Sequence, residues 1–124
     1  MEIHESSEDY LEAILMIQEK QGYVRSVDIS DKLNVSKPSV TYATKKLKNA
    51  KLISMDKNGM IQFTSEGEKM AKNIYTRHKT LTEFFESIGV DSKQARIDAC
   101  KVEHDISEKT FNAIKKKLNG KQSI

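Results

Sequence analysis

The stretch Asn34-Val35-Ser36-Lys37-Pro38-Ser39-Val40-Thr41-Tyr42-Ala43-Thr44-Lys45-Lys46-Leu47-Lys48-Asn49 decides how this chain is read. Ser36 stands where a helix N-cap belongs, and Pro38 falls in the first turn after it, where a missing N–H costs nothing. Val40, Thr44 and Leu47 recur at i, i+4 and i+7 and make a buried stripe, with Ala43 beside them. The opposite side presents Pro38, Thr41, Tyr42, Lys45, Lys46 and Asn49. Just upstream, Ser26 is expected to cap a short helix with Ile29 and Leu33 inward, and Asn34-Val35-Ser36 makes the turn between the two. Two short helices with a tight turn, the second basic and hydroxyl-rich outside, describe a helix-turn-helix. Hydroxyls and tyrosine hydrogen-bond base edges or phosphates, and lysines neutralise phosphates. Ser36, Lys37, Pro38, Ser39, Thr41, Tyr42, Lys45 and Lys46 are therefore candidate DNA contacts. A helical hairpin with a solvated lysine face is the competing account. Helix lengths, turn and charge together favour DNA.

Leu52-Ile53-Ser54-Met55-Asp56-Lys57-Asn58-Gly59-Met60-Ile61-Gln62-Phe63 follows at once, with apolar and polar residues alternating on either side of Asn58-Gly59. Asn-Gly is the strongest short hairpin signal. A hairpin directly after the second helix is a wing, and Lys57 and Asn58 at its tip can reach a DNA backbone. Ser65 and Glu68 then have capping-box spacing at the start of a long helix. Met70, Ile74, Leu81, Phe85 and Ile88 mark its expected inward stripe, and Gly89 its end. His78 sits mid-helix, slightly off that stripe and between Arg77 and Lys79. That setting suits a neutral, metal-binding imidazole better than an acid–base catalyst. A half-buried amphipathic histidine is the plainer alternative.

Upstream of the reading head, Ser6 is expected to cap a first helix, with Asp9 at the capping-box acid position. Leu11, Ile14, Leu15 and Ile17 supply its apolar face as far as Gly22. Asp9, Glu12, Met16 and Glu19 fall on another side, so Asp9 and Glu12 share a face at i, i+3. Asp9 thus has a capping role that competes with any ligand role, and Glu12 a merely solvated one.

The whole chain has 124 residues, enough for one compact domain or two very small ones. With 37% hydrophobic and 31% charged residues its core is expected to be thin, which oligomerisation would help. No apolar run approaches the roughly 18 residues of a membrane span, and no secretory leader is apparent. One cysteine cannot form an internal disulfide, which fits a reducing cytoplasm. The formal charge of +3 hides an asymmetry. Residues 1–24 carry six acids against Lys20 alone, a net of −5. Residues 25–58 carry eight bases against three acids, a net of +5. Cation binding at one end and polyanion binding beside it follow from that contrast.

The remaining chemistry lies in Asp98-Ala99-Cys100-Lys101-Val102-Glu103-His104-Asp105. In a helix capped by Asp91, Cys100, Glu103 and His104 stand at i, i+3 and i+4 and project from one face. A thiolate, a carboxylate and an imidazole are the side-chain types that bind transition metals. His78, and Asp9 with Glu12, are the partners such a face needs. The plain alternative makes Glu103 and His104 surface polars and Cys100 a small core residue. Ile106-Ser107 then turns into a last helix with Phe111, Ile114 and Leu118 inward, ended by Asn119-Gly120. The apolar faces around Val102, Ile106, Phe111 and Ile114 point to dimerisation.

The order of these elements and ligand residues resembles the iron- and manganese-dependent metalloregulators, the diphtheria toxin repressor and manganese transport regulator type. The resemblance runs through Glu8-Asp9-Tyr10-Leu11-Glu12, Val35-Ser36-Lys37-Pro38-Ser39-Val40-Thr41, Leu52-Ile53 with Thr64-Ser65-Glu66-Gly67, Arg77-His78, Ile88-Gly89-Val90-Asp91 and Cys100-x-x-Glu103-His104. It implies that Asp9 is a metal ligand of the manganese type, and that Glu12 and His78 are ligands of a second metal position in that branch. Cys100 matches the iron branch, where the manganese branch has glutamate, and Glu103 and His104 match both. Thr82 stands where both branches tend to have glutamate and Arg96 where the iron branch has histidine, so the iron branch's ancillary site is expected to be missing. The SH3-like domain of the iron branch is expected to be absent, and the manganese branch's final helix missing or cut short.

The expectation is a mainly α fold with a small β-hairpin wing. It comprises a winged helix-turn-helix DNA-binding domain over 1–64 and a helical metal-binding and dimerisation domain over 65–124. Function is expected to be that of a cytoplasmic, homodimeric, metal-dependent repressor that binds a palindromic operator in double-stranded DNA, touches no membrane and controls metal-uptake genes. Its cofactor is expected to be Fe(II) or Mn(II), with zinc, cobalt and nickel binding in vitro. Two rivals are a winged-helix DNA binder whose metal site is structural or vestigial, and a small metal-dependent hydrolase with Glu103 as base. The second lacks a nucleophile elbow and any glycine-rich loop, so no enzyme is expected.

Overall fold

The computed structural model describes residues 3–122, and among these it has six helices and a two-stranded antiparallel sheet. They fall into two compact units, Met1–Lys72 and Asn73–Ile124. The mainly α architecture with a hairpin wing is the one the patterning predicts.

In the first unit, α1 (Ile3–Gln21) begins before the expected cap. No glycine or proline interrupts the segment from Ile3, so Ser6 lies within the helix, and Asp9 sits beyond the first turn, where no capping acid is needed. Tyr10, Leu11, Ala13, Ile14, Leu15 and Ile17 are buried. Gly22, with φ of +87°, supplies the left-handed residue that ends the helix. α2 (Ser26–Leu33) starts one residue earlier than a Ser26 cap implies. Arg25 is the N-cap residue, because Asp28 reaches back and its Oδ2 accepts the Arg25 N–H at 2.9 Å. Asn34 turns the chain at φ of 56°.

α3 (Lys37–Asn49) is built as its sequence pattern demands. Ser36 Oγ accepts the Ser39 N–H at 3.2 Å, and Val40, Thr44 and Leu47 are buried. The hairpin pairs β1 (Ile53–Met55) with β2 (Ile61–Phe63), Ile53 opposite Phe63 and Met55 opposite Ile61. Asp56 organises the tip, its Oδ1 accepting N–H groups from Asn58 at 2.8 Å and Met60 at 2.9 Å. The Ile61 N–H donates to Val24 O at 2.8 Å, which fastens the wing to the segment before α2.

α4 (Ser65–Ser87) crosses from one unit to the other. Its cap is Thr64 rather than the Ser65–Glu68 pair. Thr64 Oγ1 accepts the Gly67 N–H at 3.1 Å and donates to Lys51 O at 2.8 Å, a long-range bond that Ser65 does not make. Gly67 is required here: a Cβ at that position would overlap the Leu52 carbonyl. The buried stripe also runs one residue out of phase with expectation at the start. Met70 is exposed and Ala71 fully buried, followed by Ile74 and Leu81. His78 lies on this stripe, not beside it. Ile88 falls outside the helix and is exposed.

In the second unit, Asp91 caps α5 (Ser92–Val102) by accepting the Gln94 N–H at 3.1 Å. Ser107 does the same for Thr110 at the start of α6 (Glu108–Gln122). Asn119-Gly120 does not stop α6, because glycine weakens a helix but ends one only where a left-handed residue is needed, and Gly120 is not in that conformation. Leu81, Ala99 and Phe111 form the core, with Phe85, Val102, Ile106 and Ile114 packed against it. Of the apolar group expected to face a second chain, Phe111 is buried inside this unit, whereas Val102, Ile106 and Ile114 are half-buried against its core. Among the unit's described residues the exposed large apolar ones are Ile88 and Ile97.

Candidate metal centre and nucleic-acid interface

His78 on α4 and the end of α5 converge within the second unit. His78, Cys100 and Glu103 each place a ligand atom so that all lie within 4.8 Å of one another. His78 Nδ1 stands 2.8 Å from Glu103 Oε1, and His104 Nε2 stands 3.4 Å from Glu103 Oε2. Glu103 is only 2% exposed, and its Oε2 is buried with no hydrogen bond among the described residues. A buried carboxylate between two imidazoles is costly unless positive charge joins it. A divalent cation held by His78, Cys100 and Glu103 would supply that charge. Two donors on one ion at roughly 2.0–2.3 Å are at most about 4.6 Å apart, so the trio fits a transition metal after a small closure.

Local structure explains the convergence. α5 ends at Val102, and Glu103 is its C-cap residue, with its N–H on Ala99 O. The near-helical geometry persists through Glu103, which keeps it in step with Cys100 three residues before. His104 lies in the turn beyond, its side chain 3% exposed. Cys100 is exposed, so the core-residue reading of it fails. Arg77, expected only as a charge flanking His78, also has a structural part. Its Nη2 donates to Ile106 O at 2.9 Å, and its guanidinium lies 5.0 Å from the centre of the Phe111 ring. Arg77 thereby holds the chain just past the Glu103–His104 turn. Sequence signalled it by its place next to a ligand histidine.

Asp9 and Glu12 belong to the first unit. Glu12 is 7% exposed, so a solvated role is excluded. Asp9 is half-buried and lines a cavity of about 380 Å³ with Tyr10, Leu33, Val35, Ser39, Tyr42 and Ala43. Burial pushes the Tyr10 phenol above its ordinary value.

On α3, Pro38, Thr41, Tyr42 and Lys45 are exposed on the outer face, and Lys46 is half-buried with its ammonium 5.3 Å from the centre of the Tyr42 ring. Lys37 is exposed at the N-terminus of the helix. Ser36 and Ser39 are exposed, but their hydroxyls bond each other at 2.9 Å. Lys57 and Asn58 are exposed at the wing tip.

A winged reading head on a chain that also carries a metal-sized donor set defines a metal-responsive DNA-binding regulator. The chain belongs to the iron-dependent repressor family. The family's N-terminal DNA binding domain matches residues 2–60, and its metal binding and dimerisation domain matches residues 64–122. The HTH-type transcriptional regulator MntR of Bacillus subtilis is 36% identical over 109 residues, which cover 88% of this chain and 77% of that protein. MntR of Shouchella clausii is 37% identical over 102 residues, 82% of this chain and 71% of that protein. Among solved structures, a manganese-dependent transcriptional repressor in complex with manganese aligns with a TM-score of 0.84 at 25% identity, covering 91% of this chain and 52% of that one. The manganese regulator SloR aligns with a TM-score of 0.81 at 27% identity, covering 91% and 53%. The chain therefore spans about half the length of these solved relatives. No described helix is long and apolar enough to cross a membrane.

Proposed function

We propose that this protein is a homodimeric, metal-dependent transcriptional repressor that senses Fe(II) or Mn(II) in the cytoplasm and controls metal-uptake genes. One observation carries the metal half: the buried Glu103 carboxylate with His78 and Cys100 ligand atoms within 4.8 Å of it. His78, Cys100, Glu103 and His104 are the ligands of the second unit, and Asp9 and Glu12 are the candidate donors of the first. When bound, the ion neutralises the carboxylates and orders the side chains that hold it. Cys100 adds a soft donor to an oxygen- and nitrogen-rich set, which moves preference from manganese towards iron, cobalt and zinc. Fe(II) is the physiological corepressor in this reading, Mn(II) follows closely, and zinc, cobalt and nickel bind in vitro.

The exposed residues of α3 and the wing supply the DNA half, reading a palindrome through two heads related by a two-fold axis. The matched dimerisation domain supports the dimer. The names of the relatives are those of regulators, which supports a non-catalytic protein. A titration of duplex DNA, selected from a random pool by the Mn(II)-loaded protein, tests the reading at fixed salt, since phosphate contacts make affinity salt-dependent. Affinity is expected to rise with Fe(II) or Mn(II). Equal affinity with and without every metal would overturn it.

A further inference from the structure

We infer that Tyr42 is the specificity-determining residue that distinguishes thymine from cytosine in the operator, its ring packing against a thymine C5-methyl group in the major groove. The inference rests on the DNA-binding reading above and names what that surface recognises. Val40, Thr44 and Leu47 are buried and fix the inner face of α3. Tyr42 lies opposite them at the helix centre and is 64% exposed, the most exposed large apolar side chain among the described residues. Most of that aromatic ring lies in water, and its exposed area is available to a partner.

Pro38 and Thr41 are exposed on the same face, and Tyr42 offers the largest apolar surface there. The hydroxyls of Ser36 and Ser39 are engaged with each other in the helix cap. The Lys46 ammonium sits 5.3 Å from the centre of the Tyr42 ring, which orients the ring and keeps that cation at its face. Guanine and adenine are read by forked donors and acceptors, as arginine and glutamine provide, and a phenol has no such fork. The thymine methyl is the apolar feature of the major groove, and an aromatic face is its natural contact.

The experiment uses the Mn(II)-loaded full chain and the duplex that it selects from a random pool. Each thymine of the selected site is replaced in turn by deoxyuridine, which removes the methyl and leaves pairing intact. At one thymine per half-site the parent protein is expected to lose about fourfold in affinity, the equivalent of one buried methyl group. Tyr42→Phe should keep that loss and Tyr42→Ala should abolish it, because the cycle isolates the ring–methyl pair. The inference is overturned if no thymine is sensitive, or if the loss is the same in Tyr42→Ala. Uniform weakening by Tyr42→Ala and Tyr42→Phe on every sequence would mark the phenol as a phosphate anchor and also overturn it. A pool that yields no preferred sequence fails the repressor reading itself, a result distinct from these.

Discussion

Glu103 concentrates the electrostatic question in one side chain. It is buried, touches His78 and His104, and makes sense as an anion only beside a cation. In the proposed site Cys100 is the donor that would set which cation is preferred. Loading with Co(II) should produce a thiolate-to-cobalt charge-transfer band in the near ultraviolet, and Cys100→Ser should remove it. Cys100→Glu should raise Mn(II) affinity relative to Co(II), since an oxygen donor replaces a soft sulfur. Unchanged relative affinities by competition titration would remove sulfur from the ligand set. Arg77 works at the same scale without being a ligand. Arg77→Met keeps the apolar stem and loses the bond to Ile106 O. It should lower metal affinity roughly 10- to 100-fold, as loss of outer supports of metal sites does, with helical circular dichroism preserved.

Elements here are positioned by a few close approaches. The first turn of α4 lies against the chain leaving α3, with Gly67 on the Leu52 carbonyl and Thr64 bonded to Lys51 O. Alanine for glycine inside a helix ordinarily adds about 0.5–1 kcal/mol. Gly67→Ala should do the reverse, destabilising by about 1–3 kcal/mol, because the new methyl must displace backbone. Urea unfolding measures the sign directly. A stabilised variant would mean that the contact between α4 and Leu52 relaxes freely. The hairpin shows the same economy: Asp56 ties its own tip, leaving Lys57 exposed.

For the whole molecule, function is a coupling between two ligands. If metal and operator favour the same conformer, each raises the affinity of the other by one common factor, about 5- to 150-fold in typical cases. Asp9→Ala retains His78, Cys100, Glu103 and His104, so it should reduce that factor more than it reduces metal affinity. Anisotropy titrations of DNA at several metal concentrations give both numbers. A parent-like gain on metal saturation would assign Asp9 no part in the coupling. Lys45→Ala acts on the other ligand. It should lower DNA affinity at every metal concentration and make the slope of log affinity against log salt shallower by about one.

Much of this was readable in the sequence because it is local. The stripe of Val40, Thr44 and Leu47, the Ser36 cap and the Asp91 cap depend on residues a few positions apart, and they stand where the pattern puts them. The proximity of Cys100 and Glu103 is likewise a consequence of helical spacing. What periodicity does not carry is which partner arrives from a distance. Ala71 rather than Met70 is buried, and Thr64 rather than Ser65 caps α4, its hydroxyl bonded to Lys51 O. Phe111 joins Leu81 and Ala99 in the core of its own unit, a choice made by packing and not by its apolar character. Glu12 reads as a surface acid by composition and is buried by the fold. His78 meets Glu103 across 25 residues of chain, and no short-range rule brings those two side chains to 2.8 Å. Local pattern determined the helices and their caps; tertiary packing decided which polar groups lost their water, and with that the chemistry they can perform.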